Sequence, residues 1–112
     1  MQQYTPDPKA LLGGIIVEDN DQQIVQLALQ KDNEIPPYQT DAIVLLIVLG
    51  GRAQITTEKE SLETHGLQVV RLAPDETHSI RALEDQTTIL VIKQLTHELT
   101  LSKKLRFGQC CL

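Results

Sequence analysis

The chain has 112 residues, 41% of them hydrophobic, and a formal net charge of -5. That length holds one domain with a core of its own and excludes two ordinary ones, while the apolar content excludes a disordered chain. The acidic balance has the wrong sign for gripping phosphate backbones, so nucleic acid is not expected as a partner.

The first residues, Met1-Gln-Gln-Tyr-Thr-Pro-Asp-Pro8, have neither the basic start nor the apolar stretch of an export signal. A cytoplasmic location is therefore the expectation. Residues 1–10 read as an N-terminal arm, 11–95 as the folded unit and 96–112 as a C-terminal extension. A first strand is predicted over Leu11 to Val17, closed by the polar turn Glu18-Asp-Asn-Asp21. A second is predicted over Gln22 to Gln30, where Val25, Leu27 and Leu29 alternate with Gln26, Ala28 and Gln30. A period of two is the mark of a strand with one buried face.

Lys31-Asp-Asn-Glu34 turns the chain. Pro36-Pro37 then holds it extended, because each ring fixes φ and keeps the preceding residue out of the helical region. Tyr38 and Thr40 lie on this extended approach. Ala42 to Leu49 follows, apolar on both faces, and predicts the most buried strand. It is also the longest apolar run, far short of the roughly 20 residues of a membrane-spanning helix, so no membrane partner is expected. Its outer face asks for cover from another sheet or a second subunit, and a homodimer is expected on that ground.

Gly50-Gly51 breaks the strand. Further strands are predicted at Arg52 to Thr57, Ser61 to Thr64, Leu67 to Leu72, Thr77 to Ala82 and Thr87 to Lys93, with turns at Glu58-Lys-Glu60 and Leu83-Glu-Asp-Gln86. Short runs punctuated by turns in this way predict an all-β sandwich or barrel. Beyond Leu95 the apolar residues Leu99, Leu101, Leu105 and Phe107 keep to odd positions, which favours a strand, with a terminal helix as the alternative. Cys110 and Cys111 are neighbours near the end of the chain, where they cannot staple a fold, and are expected to be reduced.

This strand order, with Pro36-Pro-Tyr-Gln-Thr40 before a strand that ends Leu49-Gly-Gly51, and with Ala73-Pro-Asp-Glu-Thr-His-Ser-Ile-Arg-Ala82 further on, resembles the cupin superfamily. The resemblance spans about Leu11 to Leu95 and implies a double-stranded β-helix, or jelly-roll, barrel. It also implies a place for a divalent metal, held by two histidines one residue apart, a glutamate a few residues later and a further histidine in a second motif. Here those positions fall on Tyr38, Thr40, Val44 or Leu45, and His78. Only His78 is a metal-ligating type. The asparagine that often follows the last histidine by four residues corresponds to Ala82.

A catalytic transition metal or zinc normally needs about three protein ligands of nitrogen, sulfur or carboxylate type. A phenol, an alcohol and an aliphatic group beside one imidazole do not supply them, so neither a metal nor another cofactor is expected. His65, His97, Asp75, Glu76 and the cysteines show no spacing that converges on His78. Two readings of His78 stay open: a packed ring with one nitrogen bonded to backbone, and a group that touches a ligand. Tyr38, Thr40 and His78 are the candidate ligand-binding residues of a small-molecule-binding or sensor-like barrel. The alternative is a metal-dependent enzyme of the dioxygenase or isomerase kind with an unorthodox site. Metal-free acid–base chemistry by His78 and Tyr38 is a third option, one that lacks an evident carboxylate to orient the histidine.

Overall fold

The computed structural model describes residues 1–5 and 13–95 of the chain. Nine strands run in sequence: β1 (Gly14–Glu18), β2 (Gln22–Leu29), β3 (Glu34–Tyr38), β4 (Ile43–Gly50), β5 (Arg52–Thr57), β6 (Ser61–His65), β7 (Gln68–Leu72), β8 (His78–Ala82) and β9 (Thr87–Gln94). They form a five-stranded sheet ordered β1-β2-β9-β4-β7 and a four-stranded sheet ordered β3-β8-β5-β6. Every strand pair among the described residues is antiparallel. The strand runs read from the sequence agree with these spans to within a few residues. The first begins at Gly14 rather than Leu11, and Leu11, Leu12 and the extension from residue 96 lie outside the described residues.

The two sheets face each other as a sandwich. Among the described residues no backbone ladder joins their edges, so the expected jelly-roll barrel takes the form of two apposed sheets. Alternation selects the shared core. On β4, Val44, Leu46 and Val48 are buried, whereas Ile43, Leu45 and Ile47 between them are only half-buried and Leu49 is exposed. On β8, Ile80 and Ala82 face inward and Arg81 outward, and β9 adds Ile89 and Val91. With Leu29, Ala53, Ile55 and Leu72 these make one contiguous core. Each large member contributes roughly 1.5–3 kcal/mol by leaving water.

One end of the sandwich is sealed. Ala53 pairs with Ala82 across β5 and β8, Val48 with Ile89 across β4 and β9, and Leu29 with Thr87 across β2 and β9. The turn into β5 comes tight against this end: Gly51 has φ of 80°, and a Cβ there would stand 2.6 Å from the Thr87 Cα. Only glycine tolerates both the left-handed backbone and the approach. The fully buried Thr87 hydroxyl donates to the Glu84 carbonyl at 2.8 Å and reaches the Arg52 carbonyl at 3.1 Å, tying the β8–β9 turn to the start of β5. Outside, the Arg52 guanidinium bridges Glu84 at 2.6 Å and Glu63 at 3.1 Å, and these carboxylates raise its pKa further.

Candidate binding site at the open end

The opposite end is where β3 and β9 finish and β8 begins. A cavity of about 210 Å³ lies between the sheets here. The large sheet contributes Val25, Leu27, Val44, Leu46, Val91 and Lys93, and the small sheet Ile35, Tyr38, His78 and Ile80. The walls are aliphatic; polar character comes from Tyr38, His78 and Lys93. Among the described residues no carboxylate lines the cavity.

Tyr38 reaches this wall through an irregularity in β3. Glu34 pairs with Arg81 and Ile35 with Ile80, but the register then slips, so that Tyr38 pairs with His78. The slip falls at Pro36-Pro37, which has no N–H to donate to the ladder and is accommodated because β3 is an edge strand. In a regular strand Ile35 and Pro37 would share a face. One inserted residue moves Tyr38 onto the face of Ile35 instead, at the cavity. The phenol is 42% exposed, which places it at the rim.

His78 opens β8 and is 6% exposed. Its position rests on the preceding turn, in which the Glu76 amide donates to the Ala73 carbonyl at 3.2 Å and the Ala73 amide donates to the Glu76 carboxylate at 3.0 Å. Asp75, with φ of 65°, is held at both ends: its amide donates to the Thr40 carbonyl at 2.7 Å, and its carbonyl accepts from the Gln39 side chain at 2.7 Å. The Glu76 carbonyl then faces His78 Nδ1 at 3.3 Å. A carbonyl only accepts, so Nδ1 donates its proton in this contact. The ring is thus bonded to backbone, and it lines the cavity. Its ring stands edge-on to Tyr38, with centroids 6.0 Å apart and planes at 85°.

Lys93 completes the rim. It lies on β9 in the same inward column as Ile89 and Val91, and its ammonium donates to the Tyr38 hydroxyl at 3.1 Å while lying 4.7 Å from the centre of the ring. Its cross-strand partner on β4 is Val44. Sequence reasoning missed Lys93; the alternation Ile89, Val91, Lys93 is the signal that marks it as inward-facing.

Thr40 does not join the group. The strand ends at Tyr38, and Thr40 sits in the connection to β4, with its hydroxyl accepting from the Ala42 amide at 3.2 Å. The expectation that it shares an inward face with Tyr38 assumed a strand that continues two residues longer. Its place is structural, holding the turn that carries Asp75. His65 ends β6 on the surface, its Nδ1 at 3.0 Å from the Gly66 carbonyl. His97, Cys110 and Cys111 lie outside the described residues.

These side chains do not fit a divalent metal. Among the described residues no three His, Cys, Asp or Glu side chains come together as a ligand set. The positions that would flank His78 carry a phenol and an aliphatic group, and the nearby Lys93 ammonium would repel a cation.

No family model matches the chain, and no curated protein matches it. Solved structures do. A conserved protein of unknown function from Streptococcus pyogenes is 23% identical, with a TM-score of 0.69 over 74% of this chain and 72% of its own. An RmlC-like cupin with a double-stranded β-helix fold from Methanocaldococcus jannaschii is 17% identical, with a TM-score of 0.73 over 84% and 90%. KdgF from a Halomonas species is 14% identical, with a TM-score of 0.71 over 89% and 94%. Two apposed antiparallel sheets in this order, superimposable on such proteins, give the chain the double-stranded β-helix fold of the cupin superfamily.

Proposed function

We propose that this protein is a metal-free cupin-type barrel that binds a small molecule at the open end of its sandwich. The observation that carries the reading is the convergence of Tyr38, His78 and Lys93 on the rim of an otherwise aliphatic cavity. Apolar walls with a few convergent polar groups are the usual make-up of a ligand site, the walls supplying affinity and the polar groups orientation. At about 210 Å³ the cavity is smaller than the roughly 300–1,000 Å³ that drug-sized ligands occupy, so the ligand is small.

Tyr38 and His78 are retained as ligand-contacting residues, Lys93 joins them, and Thr40 acts through the loop. A thermal-shift screen of small metabolites against the wild type and His78→Ala tests the proposal. At least one compound should raise the melting temperature of the wild type and lose most of that effect in the variant. A screen in which no compound separates the two proteins contradicts it. Elemental analysis of protein purified without chelator addresses the metal-dependent enzyme reading: a stoichiometric divalent metal that disappears with His78→Ala would replace our proposal with that one.

A further inference from the structure

We infer that the ligand of this cavity is a short aliphatic monocarboxylate whose carboxylate is held by Lys93 and Tyr38. The inference rests on the binding function proposed above and specifies its chemistry. Lys93 is a lysine in an inward column of a central strand, half-buried at the end of a run of aliphatic side chains. Its stem runs along the aliphatic wall and its ammonium stands at the mouth, in an exposed contact with Tyr38. The phenol accepts one of its three N–H donors. Two remain, and the Tyr38 O–H, whose oxygen accepts from Lys93, is free to turn its own proton toward the same place. Three donors around one spot match the acceptor oxygens of a carboxylate.

The remaining walls decide the rest of the molecule. Val25, Leu27, Val44 and Val91 offer no hydrogen bond, so the body of the ligand is hydrocarbon. Lys93 is the one Lys or Arg among the described lining residues, so a second carboxylate would lack such a partner and be buried against aliphatic groups. At roughly 30 Å³ per water-sized group, 210 Å³ has room for about seven non-hydrogen atoms, the size of a branched five-carbon acid.

The test is titration calorimetry of the full chain with isovalerate, its neutral isostere isovaleramide, isopentylamine and succinate. Isovalerate should bind at least tenfold more tightly than isovaleramide, with the amine and the diacid weaker still. Lys93→Met should abolish the preference for acid over amide, Lys93→Arg should keep it, and Tyr38→Phe should reduce it several-fold; melting curves establish that each variant is folded. Equal affinity for acid and amide, or a preference untouched in Lys93→Met, overturns the anion assignment and leaves the binding function standing. Failure of all four compounds to bind at millimolar concentration overturns the assignment as well, while hits from the metabolite screen would still uphold a ligand site. No response in either experiment removes both.

Discussion

The two ends of the sandwich are built from the same strands by the same alternation, yet they are filled in opposite ways. At the sealed end, inward positions carry Leu29, Val48, Ala53, Ala82 and Ile89, all essentially without solvent contact, and Gly51 lets a turn press directly on Thr87. At the open end the same columns finish in His78 and Lys93, with Tyr38 at the rim. Side chains at the first end are short or branched and complement one another. Those at the second are long and polar, and leave a space. Close packing is concentrated at one end and polar side chains at the other, the departure from core packing that the proposed binding site calls for.

Substitutions should separate the ends. The largest effect is expected from Ile89→Ala, which empties a fully buried position where the close-packed end cannot collapse: about 2–5 kcal/mol, read as a fall in the urea midpoint with little change in slope. Gly51→Ala should follow, at more than about 1 kcal/mol, since alanine meets both an unfavourable φ and the Thr87 backbone. If this variant melts with the wild type, the sealed end is looser than described.

Lys93→Met is the contrasting case. Methionine keeps most of the stem packing and removes the charge at the rim, while the lost hydrogen bond goes to an exposed phenol. Stability should change by no more than about 1 kcal/mol, and a gain would fit the argument. A loss above about 2 kcal/mol would mean that Lys93 holds the fold together and would erase the contrast between the ends.

Leu67 is a surface residue of the sealed end, its amide donating to the Val48 carbonyl at 2.7 Å. It is 92% exposed with φ of 71°, a backbone conformation that costs an ordinary residue roughly 1–2 kcal/mol. Leu67→Gly should raise stability by up to about 1 kcal/mol, because relief of that strain is partly offset by the greater freedom of glycine in the unfolded chain.

The smallest effect belongs to Asp19, whose carboxylate accepts from the amides of Asp21 at 2.8 Å and Gln22 at 2.9 Å. These bonds, the Asp21 one first, lower its pKa below the ordinary 3.8. A group depressed in the folded state stabilises above its unfolded pKa, and that contribution is lost as pH falls through the folded value. Asp19→Asn keeps an acceptor without the charge, so the gap between its urea midpoint and that of the wild type should be constant near neutrality and close below about pH 4. A gap independent of pH would show that ionisation has no part in it.

Much of this was open to a reader of the sequence. Val25, Leu27 and Leu29 spaced by two, the unbroken Ala42 to Leu49 and the turns at Glu58-Lys-Glu60 and Leu83-Glu-Asp-Gln86 specify strands through local sterics and burial. These need only neighbours within a few residues, which is why the spans agree so closely with the structure. The likeness of the Pro36 to Thr40 and Ala73 to Ala82 segments to a known family carried the fold and named Tyr38 and His78.

What the tertiary structure alone decided is which side chains meet. The slip in β3 that turns Tyr38 toward His78 depends on its pairing with a strand some forty residues away, and the end of β3 that takes Thr40 out of the cavity depends on a turn around Asp75. Lys93 meets Tyr38 across 55 positions of chain. A local pattern says that a residue faces inward; only the register between distant strands says what it faces, because that register is set by the packing of the whole core.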